Sequence, residues 1–113
     1  MNLGMSPAAS DTSVLLPEPA TAEMTLESML HALGDPVRLE IVRKLHVANE
    51  SKACGTFDLP VGKSTAIHHF KVLREAGLIR QRVEGRSRLT ELRLSDVEER
   101  FPGLLTSVLA AAH

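Results

Sequence analysis

The 113 residues have the length of a single domain, and thirteen Lys/Arg against fourteen Asp/Glu leave a formal net charge of −1. No run approaches the ~18 apolar residues of a membrane span. One cysteine gives no disulfide framework, and no Gly-rich phosphate loop or nucleophile with a credible base points to an enzyme. The expectation is a soluble, cytoplasmic, non-enzymatic protein with no cofactor and no membrane partner.

Residues 1–22 carry Ser, Pro, Ala and Thr without a helical or strand period. They are expected to form a disordered tail ahead of a domain over 23–113. Within the tail, Val14-Leu15-Leu16 is too brief and too poorly flanked for a signal peptide core. Leu26, Met29, Leu30 and Leu33 then repeat at i, i+3, i+4, i+7, predicting a first helix from about Thr25. Gly34-Asp35-Pro36 supplies a stop, an N-cap and an N1 proline in succession. A second helix follows to about Ala48, with Val37, Leu39, Ile41, Val42 and Leu45 spread around most of its circumference, the pattern of a central helix. In residues 49–62, Gly55, Pro60 and Gly62 leave room for at most one helical turn.

Lys63 to Leu78 reads as one helix ended by Gly77. Ala66, His69, Phe70, Leu73 and Ala76 share a side that can enter a core. Ser64, His68 and Lys71 lie opposite, with Ile67 at the edge. Ile79, Gln81 and Val83 next alternate with Arg80 and Arg82. Glu84-Gly85-Arg86-Ser87 makes a turn, and Arg88 to Leu94 returns as a second strand. Ser95 and Glu98 have capping-box spacing. Pro102 is placed to start a last helix carrying Leu104, Leu105, Val108 and Leu109.

That order predicts a mainly α fold with a small β-hairpin wing: a winged helix-turn-helix. Charge is distributed accordingly. Residues 1–62 are net −4, residues 63–93 net +5 and residues 94–113 net −2. Phosphate binding follows local positive charge rather than the chain total, so double-stranded DNA is the expected partner. Lys63, Ser64, Thr65, Ile67, His68 and Lys71 are the candidate contacts on the helix, and Arg80, Arg82, Arg86 and Arg88 those on the wing. The ordinary alternatives are a solvated histidine at 68 and a solvated ribbon edge for the arginines. His69, on the core side, is expected to be a packed structural histidine.

ALGDPVRLEIVRKL (32–45), KSTAIHHFKVLREAGLI (63–79) and the EGRSR turn (84–88) together resemble the ArsR/SmtB family of bacterial transcriptional regulators. The resemblance covers roughly residues 25–110. It implies a homodimer on a roughly palindromic operator, a recognition helix in the major groove, a wing along the backbone, and an interface built from the first and last helices. The dimer candidates are therefore Leu26, Met29, Leu30, Leu104, Leu105, Val108 and Leu109. The chain departs from the family pattern twice. The helix before the recognition helix is shortened around Gly55 and Pro60, and Ile67 stands where a serine is common, offering a methyl contact in place of a hydroxyl.

Many members of that family sense metals, but no metal site of the family type is expected here, an unusual site between subunits being the weaker alternative. Cys54 is a lone thiol, and the last helix has no Asp or Glu after Glu99 and only the terminal His113. His31, His46, His68 and His69 show no i, i+4 pairing. Cys54 as a redox sensor is weaker than Cys54 as a small semi-buried residue, because only Lys52 is near enough in sequence to lower its pKa. Effector sensing then falls to a separate protein. The competing reading is a winged helix used as a protein-interaction module, and the +5 segment weighs against it.

Overall fold

The computed structural model describes residues 13–112, apart from the Cys54 side chain. The expectations for residues 1–12, the Cys54 thiol and His113 lie outside the described residues. The elements are β1 (Ser13–Leu15), a 3-10 turn (Thr21–Glu23), α1 (Leu26–Leu33), α2 (Pro36–Ala48), β2 (Lys52–Ala53), a second 3-10 turn (Cys54–Thr56), α3 (Lys63–Ala76), β3 (Ile79–Glu84), β4 (Ser87–Leu92), α4 (Leu94–Arg100) and α5 (Leu104–Ala111). This is the mainly helical winged fold that the order of elements predicts.

Local chemistry explains the helix boundaries. The Thr25 hydroxyl accepts from the Ser28 amide at the start of α1, and the Asp35 carboxylate accepts from the Val37 and Arg38 amides at the start of α2. Both satisfy amides that the first turn leaves without helical partners. Ile41, Val42 and Leu45 of α2 are buried with Met29 and Leu33 of α1, Phe70 and Leu73 of α3, and Leu78 and Ile79 entering the sheet. Val97 of α4 and Leu105 of α5 close the same core. α2 contacts α1, α3 and β4, as its broad apolar surface implies.

The broken stretch 49–62 contains no α-helix. Thr56 donates to the Ala53 carbonyl in a single tight turn, and Phe57 then drops into the core edge-on to Phe70, with ring centres 5.4 Å apart. That aromatic contact anchors a segment whose Gly and Pro content rules out a longer helix.

Two readings need correction. The tail expected over 1–22 is not free of structure in its described part. Ser13–Leu15 pair antiparallel with β3, extending the wing into a four-stranded sheet of order β1-β3-β4-β2. Ser95 and Glu98 do not form a capping box, because α4 begins at Leu94 with Arg93 as its cap. The Glu98 carboxylate turns instead to the next helix and accepts from the amides of Gly103, Leu105 and Thr106. Pro102 therefore lies in the bend between α4 and α5, and α5 starts at Leu104.

Candidate nucleic-acid interface

α3 presents the polar stripe that its periodicity predicts. Lys63, Ser64, Thr65, His68 and Lys71 are exposed and Ile67 is 50% exposed, while His69, Phe70, Leu73 and Ala76 are buried. No acidic residue occupies the first turn, and no side chain caps it. Its amides and the Lys63 ammonium therefore favour an approaching phosphate. A hollow of about 330 Å³, lined among others by Lys63, Ala66, Ile67, Phe70 and Arg88, joins this stripe to the wing.

A buried arginine holds α3 at its angle. The Arg38 guanidinium donates to the Ala32 carbonyl at 2.8 Å and the His31 carbonyl at 3.1 Å, both at the end of α1. Its third contact is His69 Nδ1 at 3.1 Å. Arginine has no acceptor, so Nδ1 must be the acceptor and a neutral His69 carries its proton on Nε2. Arg38 thus caps α1, sits in the first turn of α2 and bonds to α3. Asp35 flanks the same junction. Burial pushes its carboxyl up, but hydrogen bonds from the Arg38 and Val37 amides, together with nearby positive charge, hold it below the usual carboxylate range.

The basic segment divides into two functional halves. Lys63, Lys71, Arg86 and Arg88 are exposed, and among the described residues they enter no ion pair. Arg86 lies in the two-residue loop between Glu84 and Ser87, where Gly85 has φ +60°. A positive φ at Gly85 and not at Arg86 belongs to a type II′ turn, which suits a twisted hairpin. Arg88 is close enough to α3 that its charge, after burial, is the next cause holding the Arg74 guanidinium below its ordinary value.

Arg74, Arg80, Arg82 and Arg93 are committed inside the molecule. Arg80 makes a two-pronged pair with Glu18 at 2.9–3.2 Å, which raises its pKa above the ordinary value. Arg82 is drawn to Glu91 at 3.3 Å and lies 3.9 Å from Glu84. Arg80 and Arg82, two of the four wing candidates, thus face carboxylates of the same chain. Among the described residues, Arg86 and Arg88 are the wing arginines that enter no ion pair. Glu18 is the residue that sequence reasoning missed. Its one local signal is a carboxylate between two prolines in an otherwise low-charge stretch.

The family described as bacterial regulatory protein, arsR family, matches residues 35–81. The uncharacterized HTH-type transcriptional regulator YceK of Bacillus subtilis strain 168 is 38% identical over 79 residues, spanning 68% of this chain and 79% of YceK. The chain belongs to the ArsR family of helix-turn-helix transcriptional regulators. A crystal structure of another ArsR family transcriptional regulator shares the fold, with a TM-score of 0.57 at 19% identity, covering 78% of this chain and 93% of that one. Arg38, His69 and α3 all fall inside the matched residues of this ArsR-family chain, whereas β1 and Glu18 fall outside them.

The dimer candidates divide by burial. Met29 and Leu105 are fully buried in the protomer's own core, so they are removed from the expected interface set. Leu26 and Leu30 on α1 are 45% and 51% exposed, and Leu104, Val108 and Leu109 on α5 are half-buried. Among the described residues, no three His, Cys, Asp or Glu side chains converge as metal ligands, and no helix is long and apolar enough to cross a membrane.

Proposed function

We propose that this regulator binds a palindromic double-stranded DNA operator as a homodimer. α3 enters the major groove and the β3–β4 wing tip lies on the backbone. The observation that carries the reading is the division of the basic segment, which among the described residues leaves Lys63, Lys71, Arg86 and Arg88 without an ion pair on one helix face and one hairpin tip. Ser64 and His68 stand one turn apart on the outward face within reach of base edges, and Ile67 offers a methyl to thymine. Lys63, Thr65 and Lys71 flank them and serve the phosphates. Alanine at Ser64 or His68 is expected to cost on the order of 1–3 kcal/mol on the operator and to relax preference at particular base pairs. Alanine at Arg86 should weaken operator and scrambled duplex alike and flatten the salt dependence by about one unit. Fluorescence anisotropy across a salt series measures both effects. A salt slope altered by His68→Ala but not by Arg86→Ala reverses the two roles. Failure of the wild type to shift any duplex at low salt favours the protein-interaction reading instead.

The interface of the dimer is assigned to Leu26 and Leu30 of α1 with Leu104, Val108 and Leu109 of α5, apolar residues that the protomer leaves partly uncovered on these two helices. Sedimentation is expected to show a dimer at micromolar concentration in physiological salt and a monomer for Leu30→Glu. A wild-type monomer under those conditions overturns the assignment. Regulation is proposed to proceed without a metal site of the family type, because the lone cysteine and the carboxylate-free last helix supply neither ligand set. A separate partner protein then senses the effector. Calorimetry with Zn²⁺, Ni²⁺ and Co²⁺ tests this, and a stoichiometric micromolar site that alters DNA binding refutes it.

A further inference from the structure

A hairpin wing joined to its domain only at its base leaves the tip free to swing about that base. Here a second connection runs along the wing. β1 pairs with the tip half of β3, in the register Ser13↔Glu84, Val14↔Val83 and Leu15↔Arg82, and the Leu16 amide continues the ladder to the Gln81 carbonyl. The chain then enters Pro17-Glu18-Pro19, where neither proline has an amide to donate and both have a fixed φ. Arginines hold each residue of this tripeptide. Arg74 of α3 donates to the Pro17 carbonyl at 3.1 Å, and Arg93 donates to the Pro19 carbonyl at 2.8 Å. Between them the Glu18 carboxylate, 13% exposed, receives the two-pronged Arg80 pair and lies 3.6 Å from Arg93. Arg74 also donates to the Gln81 side chain at 2.7 Å, so the recognition helix, β3 and this strap meet at one guanidinium. At the far end of the strap, Arg100 of α4 donates to the Met24 carbonyl.

We propose that Glu18 is the positioning residue of the wing: locked between Arg80 and Arg93, it holds β1 against β3 and so fixes Arg86 and Arg88 at a set distance from the recognition helix. This rests on the DNA-binding reading above. It adds that the wing's reach is set by a segment outside the family-matched residues.

Three roles for Glu18 give different signs in one measurement. If Glu18 only neutralised Arg80, Glu18→Ala would leave that cation to Asp96 alone, 3.7 Å away, and steepen the salt dependence of DNA binding. If it only added stability, the folded variant would keep the wild-type slope. As a positioning residue its loss lets the tip swing off the backbone, so the slope falls by about two units, one for each phosphate contact of Arg86 and Arg88. The assay uses the full chain, with Glu18→Ala and the isosteric Glu18→Gln, on operator and scrambled duplexes below the unfolding temperature established by circular dichroism. Adding Arg86→Ala and Arg88→Ala to Glu18→Ala should cost little further affinity, although both cost affinity in the wild-type background. Free of DNA, Glu18→Ala should also speed amide hydrogen exchange along β1 and at the tip of β3, leaving α3 protected. An unchanged or steeper slope, or full additivity of the wing substitutions, overturns the inference while leaving the DNA-binding reading intact. A wild type that binds no duplex overturns that reading, and unchanged exchange at β1 overturns the inference independently of DNA.

Discussion

Arg38→Ala should destabilise the domain by about 3 kcal/mol, the lower end of what breaking one side of a buried charged network costs. Arg38 of α2 is 8% exposed and serves three acceptors, two in α1 and one in α3. Its removal strands the buried Ala32 carbonyl and the His69 Nδ1 lone pair, at about 1–3 kcal/mol for each group left unsatisfied, while the part-buried His31 carbonyl keeps the Gly34 amide. Partial relaxation keeps the total below that sum. Arg38→Lys should recover little, because one ammonium on a flexible stem cannot reproduce a planar fork aimed at three oxygen and nitrogen acceptors. For a domain of this size the loss lowers the melting temperature by roughly 12–24 °C. Thermal and urea unfolding measure it directly. A change under 1 kcal/mol would show that Arg38 merely lies over the junction. His69→Ala in the Arg38→Ala background should then cost less than in wild type, since the two share a bond.

The elements that were legible in the sequence are those whose cause is local. Leu26, Met29, Leu30 and Leu33 mark α1 by spacing alone, Gly34-Asp35-Pro36 marks the α1–α2 corner by cap chemistry, and Gly77 marks the end of α3 by its conformational freedom. The exposed stripe from Lys63 to Lys71 follows from the same 3.6-residue period. What could not be read locally was the destination of charge. Arg80 and Arg86 look alike in a strand-turn-strand pattern, yet Arg80 is spent on Glu18, sixty-two positions away, and Arg86 is open. Glu98 fits a capping box by spacing, but its carboxylate serves the following helix, because the bend at Pro102-Gly103 carries the α5 amides back to it. Met29 and Leu105 look like members of surface stripes and are core residues, since a stripe records which face is apolar and not whether the neighbour covering it is the same chain. The strap was illegible for a related reason. Three residues of strand are too few to show a period of two, and β1 exists only because β3 offers it an edge.

Gly77→Ala should cost about 3 kcal/mol, and the cost should separate into two parts. Gly77 ends α3 with φ +97°, its amide bonding back to the Arg74 and Leu73 carbonyls. An alanine in that conformation carries a backbone penalty of roughly 1–2 kcal/mol. A Cβ built there also lies 2.8 Å from Met24 Cε and 2.9 Å from Met24 Cγ. Met24 is 1% exposed, so its side chain has nowhere to withdraw without disturbing Leu78 and the rest of the core. Overpacking of this kind adds about 1–3 kcal/mol. Shortening Met24 should remove the second part and leave the first. Met24→Ala alone opens a cavity and costs about 2–5 kcal/mol, but the double variant should be more stable than the sum of the two single losses predicts, by roughly the overpacking energy. Urea unfolding of the four proteins gives the cycle. Strict additivity would mean that Met24 yields to the new methyl without strain, and a Gly77→Ala change below 0.5 kcal/mol would remove the backbone argument as well. Because Gly77 joins α3 to β3 while Met24 ends the strap, any Gly77→Ala protein that stays folded should also bind the proposed operator less tightly. Its wing and helix would meet DNA at an altered angle.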